Sequence, residues 1–553
     1  MALLSTRERR IAEAVAGIAF GNPFLPERIG LERQALGRDF REAGPVIRVR
    51  SDASYDVMFP NVAKLHRLAE ALTDALRRRL RSGHEATEID LALYEDLACY
   101  VLYNRHLSLV HEPVRTSMGS PDWGGPVARW PAFRADFDAY LELPGRTVPF
   151  RPLPEHLFAV FFQISRAFHS IFENIVGGSS PTARLRAAVW QSIFTHDLRR
   201  YIRTLYRHMV DIPTLITGPS GSGKELVARA IGRSLYTQFD PRSKQFAENR
   251  YYALNLSAFA PTLIESELFG SVRGAFSGAT DRAGWLEECG GPGAVNAAFL
   301  DEIGELDEAI QVKLLRVLQD RKYTRVGETR KVPREFQGKV IAATNRDLAA
   351  EMRAGRFRPD FYYRLCADVI KTPALRDQLA DRPEDLPDIV RYVVRRRVLR
   401  SEGPGVEPVA DAEVDSIVGG VVEWVGRNLE AGYPGPGNFR ELEQCVRNLM
   451  IRNHYQPPGV GETEGAGEPA EAFLRSVGEG SLTSDALLAK YYALVLRRTG
   501  SYTAASERLG VDWRTLKKRI DPEFLPIRIV PERGSPGPSS NPTTSQRGRH
   551  APP

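Results

Sequence analysis

Residues 218–225 read Gly218-Pro219-Ser220-Gly221-Ser222-Gly223-Lys224-Glu225, and this short stretch decides the fold of the chain. It follows the pattern G-x-x-x-x-G-K, in which glycines turn backbone N–H groups around phosphate oxygens and the lysine reaches the outer phosphates. A β-branched run at 213–217 precedes it and a helix-favouring run at 225–230 follows it. Because a helix N-terminus adds positive potential, this strand–loop–helix context predicts a nucleoside triphosphate site rather than a merely glycine-rich turn.

Two further apolar runs end in side chains that suit phosphoryl transfer. The run at 297–300 ends in Asp301 and Glu302, and the run at 340–344 ends in Asn345. Carboxylates beside a phosphate-binding loop fit metal-assisted chemistry, with Asp301 in the Mg²⁺ shell and Glu302 polarising the attacking water. Asn345 is expected to contact the γ-phosphate or that water. An acidic helix cap is the alternative interpretation of the carboxylate pair, and the neighbouring phosphate loop favours the catalytic one.

Composition describes a soluble protein of several domains. A chain of 553 residues is too long for one core, and 42% hydrophobic with 26% charged residues is ordinary for globular proteins. The net charge of +6 does not by itself indicate a nucleic-acid partner. Four scattered cysteines without a CxxC pair argue against a disulfide frame or a zinc site. The absence of a signal peptide or a membrane-length apolar run leads us to expect a cytoplasmic protein.

Periodicity divides the chain into regions. Helical apolar spacing at 65–80, 89–102 and 157–175 predicts a mainly helical N-terminal region, with loops across 119–152. Alternating β-type and helical runs from 176 to about 400 predict a mostly parallel α/β core. The predicted domains are a regulatory domain of unknown ligand at 1–175, an ATPase core at 176–380, a helical lid at 381–455, a linker at 456–480, a helix-turn-helix domain at 481–525 and a disordered tail at 526–553.

Several motifs beyond the phosphate loop point to one family. Residues 267–270 read ELFG, and 274–279 read Gly274-Ala275-Phe276-Ser277-Gly278-Ala279. Residues 314–319 read LLRVLQ, and 342–348 read AATNRDL. Together these segments resemble the central AAA+ domain of bacterial enhancer-binding proteins, the activators of sigma-54 RNA polymerase. The resemblance covers about 176–453 and implies an α/β P-loop ATPase core with a helical lid.

The resemblance also implies roles for individual residues. Gly274 to Ala279 look like the family's GAFTGA loop, which touches the sigma factor, and Asn255 like its switch asparagine. Arg358 and Arg364 lie in the segment that corresponds to the family's arginine fingers, and Arg440 matches the nucleotide-sensing arginine of the lid. Because an arginine finger stabilises charge on the γ-phosphate of a neighbouring subunit, the resemblance implies a ring, and the family forms hexamers with ATP and Mg²⁺.

The chain departs from the family pattern in a few places. Ser277 stands where the contact loop usually has Thr, so the hydroxyl is kept and the methyl group is lost. Glu225 replaces the Ser or Thr that usually holds Mg²⁺ in phosphate loops, a change that the family tolerates. Pro436-Gly437 looks like an insertion in the lid motif, which puts the position of Arg440 in question. None of these changes removes a reacting group, so we expect ATP hydrolysis to be retained.

The C-terminal region has the pattern of a helix-turn-helix. Gly510 marks a tight turn, Asp512 can cap the next helix, and Val511, Leu516 and Ile520 are expected to pack inward. The segment resembles the Fis-type DNA-binding domain, and a solvated basic helix is the alternative. A preceding helix with Leu487, Leu488, Tyr491, Leu494 and Leu496 would supply a dimer surface, which predicts a palindromic DNA site. The residues expected to bind double-stranded DNA are Trp513, Arg514, Thr515, Lys517 and Lys518.

The sequence therefore predicts a multidomain, DNA-bound ATPase. Its expected activity is to remodel the closed complex of sigma-54 RNA polymerase as a homo-oligomer that ranges from a dimer to a hexameric ring. One alternative is a regulator of the same architecture that represses or uses another sigma factor, which Ser277 keeps open. A second alternative is a non-hydrolysing DNA scaffold that uses ATP only for assembly, against which Asp301, Glu302 and Arg364 argue. A third is a replication-initiator ATPase, a family that has no counterpart to Gly274–Ala279.

Overall fold

A computed structural model describes residues 2–42, 60–117, 130–290, 295–328, 333–399, 409–429, 435–457, 477–478, 480, 482–499 and 501–520. The chain divides into two compact units, Met1–Tyr455 and Gln456–Pro553. Most of the predicted linker at 456–480 and all of the predicted tail at 526–553 lie outside the described residues. Within the described ranges, no helix has both the length and the apolar character needed to cross a membrane.

The described part of residues 2–141 forms five α-helices. The first begins after Ser5, whose hydroxyl accepts from the N–H of Glu8 while the Glu8 carboxylate accepts from the N–H of Ser5, which forms a capping box. Buried residues such as Leu65, Leu72 and Leu76 recur at helical spacing, so one face of each helix enters the core. These helices are α1 Thr6–Phe20, α2 Glu27–Leu36, α3 Val62–Arg81, α4 Glu88–Ser117 and α5 Trp130–Leu141.

Helix α5 corrects the prediction of loops across 119–152. Trp130, Phe133, Phe137 and Tyr140 lie on one face of this helix and are buried. Their spacing is a helical signal, which outweighs the glycines and prolines on either side. Residues 142–152 do form an irregular connection, and 119–129 lie outside the described residues.

The central sheet contains the strands that the sequence indicated. Five strands lie in the spatial order β11-β1-β10-β7-β4, and all four pairings are parallel. The other six strands form three antiparallel ribbons of two strands each. The strands are β1 Thr214–Thr217, β2 Phe239–Asp240, β3 Gln245–Phe246, β4 Tyr251–Asn255, β5 Gly270–Ser271, β6 Arg282–Ala283, β7 Ala297–Asp301, β8 Lys322–Tyr323, β9 Arg334–Glu335, β10 Lys339–Thr344 and β11 Asp368–Lys371.

Alternate side chains of the sheet enter two different cores. Ile216, Phe299 and Ile341 belong to the cluster that also contains the N-terminal helices, and we call this side the N-terminal face. Leu215 and Leu300 belong to a second cluster on the opposite face. Such alternation follows from the two-residue period of a strand, and both faces are buried as is usual for a parallel sheet.

Four helices connect the N-terminal region to the sheet: α6 Pro154–Asn174, α7 Ser180–Phe194, α8 Leu198–Arg203 and α9 Lys224–Gly232. Helices α7 and α9 lie against the N-terminal face, α6 packs on both of them, and α4 packs on α6. The Nε2 of Gln163 on α6 donates to the carbonyl of Ser234, just after α9, over 2.9 Å. One continuous core therefore spans the predicted domain boundary at 175/176.

The opposite face is covered by α10 Pro261–Phe269, α11 Trp285–Cys289, α12 Glu308–Asp320, α13 Leu348–Arg353 and α14 Pro359–Leu365. A third cluster, which includes Ile389, Val393, Val418 and Val446, forms the helical lid. The lid contains α15 Leu375–Asp381, α16 Leu386–Val393, α17 Asp411–Asn428 and α18 Asn438–Arg452. The expected α/β core with a helical lid is therefore present.

In the second unit, the described residues from 482 to 520 form α19 Ser484–Thr499, α20 Tyr502–Leu509 and α21 Trp513–Arg519. Gly510 adopts φ 67°, a left-handed conformation that ends α20, and the Asp512 carboxylate accepts from the N–H of Arg514 at the start of α21. Leu516 is fully buried, with Val511 and Ile520 packed around the same core, as the sequence indicated. Leu496 is also fully buried in this core, so its assignment to the dimer surface was wrong, whereas Leu487, Leu488 and Tyr491 are exposed.

Candidate nucleotide site and contact loop

The carboxyl ends of four parallel strands bring the predicted site residues to one edge of the sheet. The phosphate loop follows β1, Asp301 ends β7, Asn345 follows β10, and Asn255 ends β4. In the register of the sheet, Asn255 lies directly opposite Asp301. Ligand sites of open α/β sheets form at this edge, because all strands deliver their connecting loops there.

Close packing shapes the phosphate loop. A Cβ on Gly218, whose φ is 151°, would lie 2.1 Å from the Oγ1 of Thr372, and one on Gly221, at φ 71°, would lie 2.2 Å from the carbonyl of Gly437. The hydroxyls of Ser222 and Thr372 are 2.7 Å apart, which ties the loop to the chain that follows β11. Residues 218 and 221 must therefore be glycine for this loop to have this shape.

Lys224 is buried at the start of α9, beneath its own loop. Its Nζ donates to the carbonyls of Gly218 and Pro219 over 3.0 and 3.1 Å. Burial lowers the pKa of Lys224, and the carboxylates of Glu302 and Asp301 oppose that shift. A lysine held between a phosphate loop and two carboxylates has the surroundings that nucleotide chemistry requires.

The two carboxylates are held in different ways. Burial raises the pKa of Asp301, while the N–H of Glu302, which donates to Asp301 Oδ1 over 3.0 Å, and the charge of Lys224 lower it. Glu302 adopts φ 57° and ψ 47°, a left-handed conformation that is uncommon for a residue with a side chain. Backbone strain of this kind often occurs at functional sites, and here it falls on the carboxylate that follows Asp301.

Asn255, Asn345 and Glu225 are exposed at the same edge. The Oδ1 of Asn255 accepts from the N–H and the hydroxyl of Ser257, which fixes its side chain at the end of β4. The Glu225 carboxylate pairs with Arg229 one turn along α9, over 2.7 Å. Glu225 therefore has a structural partner on its own helix.

The lid contacts the phosphate loop directly. The Arg440 Nη1 donates to the Ser220 hydroxyl over 3.2 Å, and the Asn438 Nδ2 donates to the Ser220 carbonyl over 2.9 Å. Pro436-Gly437 therefore does not displace Arg440 from the loop.

The two predicted arginine fingers lie around α14 and bond towards α12. Arg358 bonds Glu308 and Asp360 over 2.7 and 2.9 Å, and hydrogen bonds first from Asp360 and then from Glu308 raise its pKa. Arg364 donates to the carbonyl of Leu318 on α12 over 3.2 Å. These bonds hold both guanidiniums on the surface around α14.

The predicted contact loop is an exposed double turn. Gly274 and Gly278 adopt φ 84° and 83°, and the Phe276 side chain between them is 47% exposed. The N–H of Val272 donates to the Val326 carbonyl, and a Cβ on Gly327 would lie 2.4 Å from the Cβ of Ala275. The loop is thus anchored at its base and presents an aromatic ring to solvent.

The sequence of this chain is similar to those of known regulators. Residues 191–371 match the family model described as the sigma-54 interaction domain. The DNA-binding transcriptional regulator NtrC of Azospirillum brasilense is 33% identical over 404 residues, which cover 65% of this chain and 76% of that protein. The chain belongs to the family of sigma-54-dependent transcriptional regulators. The matched names favour a sigma-54 activator over the repressor and scaffold alternatives.

Other relatives match a smaller part of their length. The Sigma54-dependent transcriptional activator SfnR of Pseudomonas putida is 39% identical over 238 residues, 43% of this chain and 56% of SfnR. The crystal structure of NtrX from Brucella abortus in complex with ATP is 23% identical and covers 68% of this chain and 76% of NtrX. Its TM-score of 0.35 is too low to support a further comparison.

This sigma-54 regulator has site residues that the sequence did not reveal. Asp385 of the lid accepts from the N–H of Gly178, Asp381 accepts from the N–H of Ser180, and Gln378 accepts from Thr182. These bonds join the start of α7 to the lid, beside the phosphate loop. The doubled glycine at 177–178 was the available signal, and its partners are about 200 residues away in the chain.

In the second unit of the regulator, the residues predicted to bind DNA lie on the exposed side of α21. Trp513 is 48% exposed, and the Arg514 guanidinium lies 5.6 Å from the centre of its ring. Thr515, Lys517 and Lys518 are exposed as well. The helix therefore separates a buried Leu516 from a basic, aromatic outer face.

Proposed function

We propose that this chain is a DNA-bound ATPase that remodels the closed complex of sigma-54 RNA polymerase. The observation that carries the proposal is the strained Glu302 beside Asp301 and Lys224 at the carboxyl edge of the sheet. A water-orienting carboxylate requires a fixed direction, which the strained backbone supplies.

Each residue at the edge has a separate task in hydrolysis. The N–H groups of the phosphate loop and Lys224 bind and orient the phosphates of ATP. Asp301 fits a Mg²⁺ ion, because this cation typically takes only one or two carboxylates besides phosphates and water. The bound ion would neutralise charge that develops on the phosphates. Glu302 orients the attacking water, and Asn255 and Asn345 position groups around it.

Neighbouring subunits complete the site in this proposal. Arg358, which is partly exposed, and Arg364, which is exposed, lie around α14 and would reach the nucleotide of an adjacent protomer in a ring. A guanidinium on the γ-phosphate contributes roughly 10³–10⁵ in rate. The ring would reach six subunits, as in the family that the sequence resembles, and Arg440 would report the state of the nucleotide to the lid.

Separate parts of the chain would contact the sigma factor and DNA. The loop at 274–279, with Phe276 at its tip, would press on the sigma factor when nucleotide binding raises it. The face of α21 with Trp513, Arg514 and Lys517 would enter the major groove of DNA. Exposed Leu487 and Tyr491 on α19 would pair two such modules on a palindromic site.

Two substitutions test the assignment of the site. Lys224→Ala is expected to abolish ATP binding, whereas Glu302→Ala is expected to bind ATP and release no phosphate. Glu335→Gln, at an exposed glutamate on β9, serves as the matched control and should behave as wild type. The measurements are ATP affinity by calorimetry and phosphate release on concentrated protein. Normal turnover in both site variants would refute the proposal.

A further inference from the structure

A pocket of about 110 Å³ lies within the N-terminal helical region. Its walls come from α1–α4 and α6–α8, and include Leu65, Tyr103, Phe161, Phe168 and Trp190. The rings of Phe168 and Trp190 are 4.9 Å apart, and those of Tyr103 and Phe161 are 5.3 Å apart. The pocket is thus an aromatic and aliphatic space, separate from the nucleotide site.

The two charged groups at the margin of this pocket are paired with each other. Arg28 and Glu32 form a buried ion pair, and Asn61 Nδ2 donates to the second oxygen of Glu32 over 2.8 Å. Burial raises the pKa of the Cys99 thiol, so this part of the wall is uncharged at neutral pH. A charged ligand would lose its hydration without a counter-ion, whereas an apolar ligand would lose little.

We propose that this pocket binds an uncharged, mostly apolar molecule about the size of a benzene ring. Its volume is somewhat below that of an engineered apolar cavity of about 150 Å³ that binds benzene, which limits the ligand to roughly six or seven heavy atoms. Such a molecule would fill a void, and voids larger than a water molecule are few in close-packed protein interiors. The proposal gives the N-terminal region a ligand class.

Helix α6 connects the pocket to the nucleotide site. Phe161, Ile164 and Phe168 line the pocket from one side of α6. From the same turns of the helix, Gln163 and Arg166 donate to the carbonyls of Ser234 and Leu235. These carbonyls follow the end of α9, whose first residue is Lys224. A ligand in the pocket would therefore change how firmly α6 holds the end of α9. The consequence for ATP hydrolysis rests on the proposed function.

The binding test uses the full-length chain without nucleotide, so it does not depend on ATPase activity. Benzene is expected to raise the melting temperature and to give saturable heat in calorimetry, whereas benzoate at equal concentration gives neither. Ala19→Leu narrows the pocket and should weaken benzene binding at least tenfold. Ala16→Leu, at a buried alanine of the same helix outside the pocket, is the matched control and should bind benzene as wild type does.

A second pair of variants guards against misfolding of the first. Ile164→Ala enlarges the pocket and should tighten toluene binding relative to benzene, whereas Val160→Ala, on the same helix but outside the pocket, should not. Equal affinity for benzene in wild type and Ala19→Leu, or benzoate binding as tight as benzene binding, would overturn the proposal. So would the absence of saturable benzene binding to wild type.

The link to α9 has its own readout. Benzene is expected to slow amide hydrogen exchange at residues 230–235, and Ala19→Leu should remove that change. Saturable benzene binding without altered exchange there would overturn the link. If the chain binds benzene but hydrolyses no ATP, the proposed function is wrong and the pocket assignment still holds.

Discussion

The two faces of the central sheet are covered in different ways. On the N-terminal face, α9 is enclosed between the sheet and α6, and the helices of the N-terminal region continue the same core. On the opposite face, α10–α14 cover the sheet, and the loop with the exposed Phe276 follows α10 and β5 along the chain. The phosphate-loop helix is thus enclosed between the sheet and α6, whereas the predicted output loop is exposed.

The largest expected effect on stability tests whether the N-terminal helices and the sheet unfold together as one unit. Phe162, whose ring stacks on Phe246 at 3.8 Å, and Phe361 on the opposite face are each 1% exposed. Phe162→Ala and Phe361→Ala should each lower the free energy of unfolding by about 3–5 kcal/mol. Denaturant titrations followed by intrinsic fluorescence and by ATP binding should show one shared transition. A separate early unfolding transition in Phe162→Ala that leaves ATP binding intact would show that the N-terminal helices unfold independently of the sheet.

A smaller effect is expected where α6 holds the end of α9. Gln163 donates to the Ser234 carbonyl and accepts from the Tyr201 hydroxyl over 2.8 Å. Gln163→Leu keeps the volume and leaves both buried partners without this bond, at a cost of about 2–4 kcal/mol. Hydrogen exchange at 230–235 should accelerate more than at the end of α12. Uniform acceleration across both faces would contradict the specific link.

The N-terminal region also predicts a pH dependence. Burial raises the pKa of Glu95 to about 7, while the N–H of Phe150, which donates to Glu95 Oε2, lowers it. The pKa of Glu95 is thus higher in the folded state than in the unfolded chain. The neutral carboxyl contributes its full stabilisation below about pH 4.5, and this stabilisation is lost as the pH rises through about 7. Glu95→Gln should match wild type at pH 4.5 and exceed it at pH 8 by about 1–2 kcal/mol after solvent screening. Thermal melts at both pH values measure the difference, and equal stability at pH 8 would contradict it.

The smallest effect on stability is expected at the exposed loop 274–279. Phe276→Ala should change the free energy of unfolding by less than about 0.5 kcal/mol, because its ring is exposed. The same variant should lose binding to sigma-54 in the presence of an ATP transition-state analogue, while Ser277→Thr should retain or strengthen it. A pull-down with purified sigma-54 measures both. Unchanged capture by Phe276→Ala would remove the contact loop from the output.

Local patterns predicted the elements of this comparison better than their arrangement. The strands ending at Thr217, Asp301 and Thr344 were evident because short apolar runs lead into polar or glycine-rich turns. The parallel sheet then brings the ends of those strands together, so much of the nucleotide edge followed from the sequence. Helix α5 was missed because glycines and prolines nearby outweighed the spacing of Trp130, Phe133 and Phe137.

The sequence could not show which buried surfaces meet. Gln163 and Arg166 read as polar residues of an apolar helix, and only the fold reveals that they bond to the end of α9. Asp385 and Gly178 meet across 207 residues of chain, a separation that no local pattern encodes. The strain at Glu302 likewise depends on the packing of β7 and could not be read from its neighbours.

Phosphate release per chain, measured across a range of protein concentrations, tests whether neighbouring subunits complete the nucleotide site. We expect the rate per chain to rise with concentration as rings form, and Arg364→Ala to remain at the low rate at every concentration. Mixing Arg364→Ala with Lys224→Ala should restore part of the activity, because each variant supplies what the other lacks. A rate per chain that is independent of concentration and unaffected by loss of Arg358 and Arg364 would contradict the account.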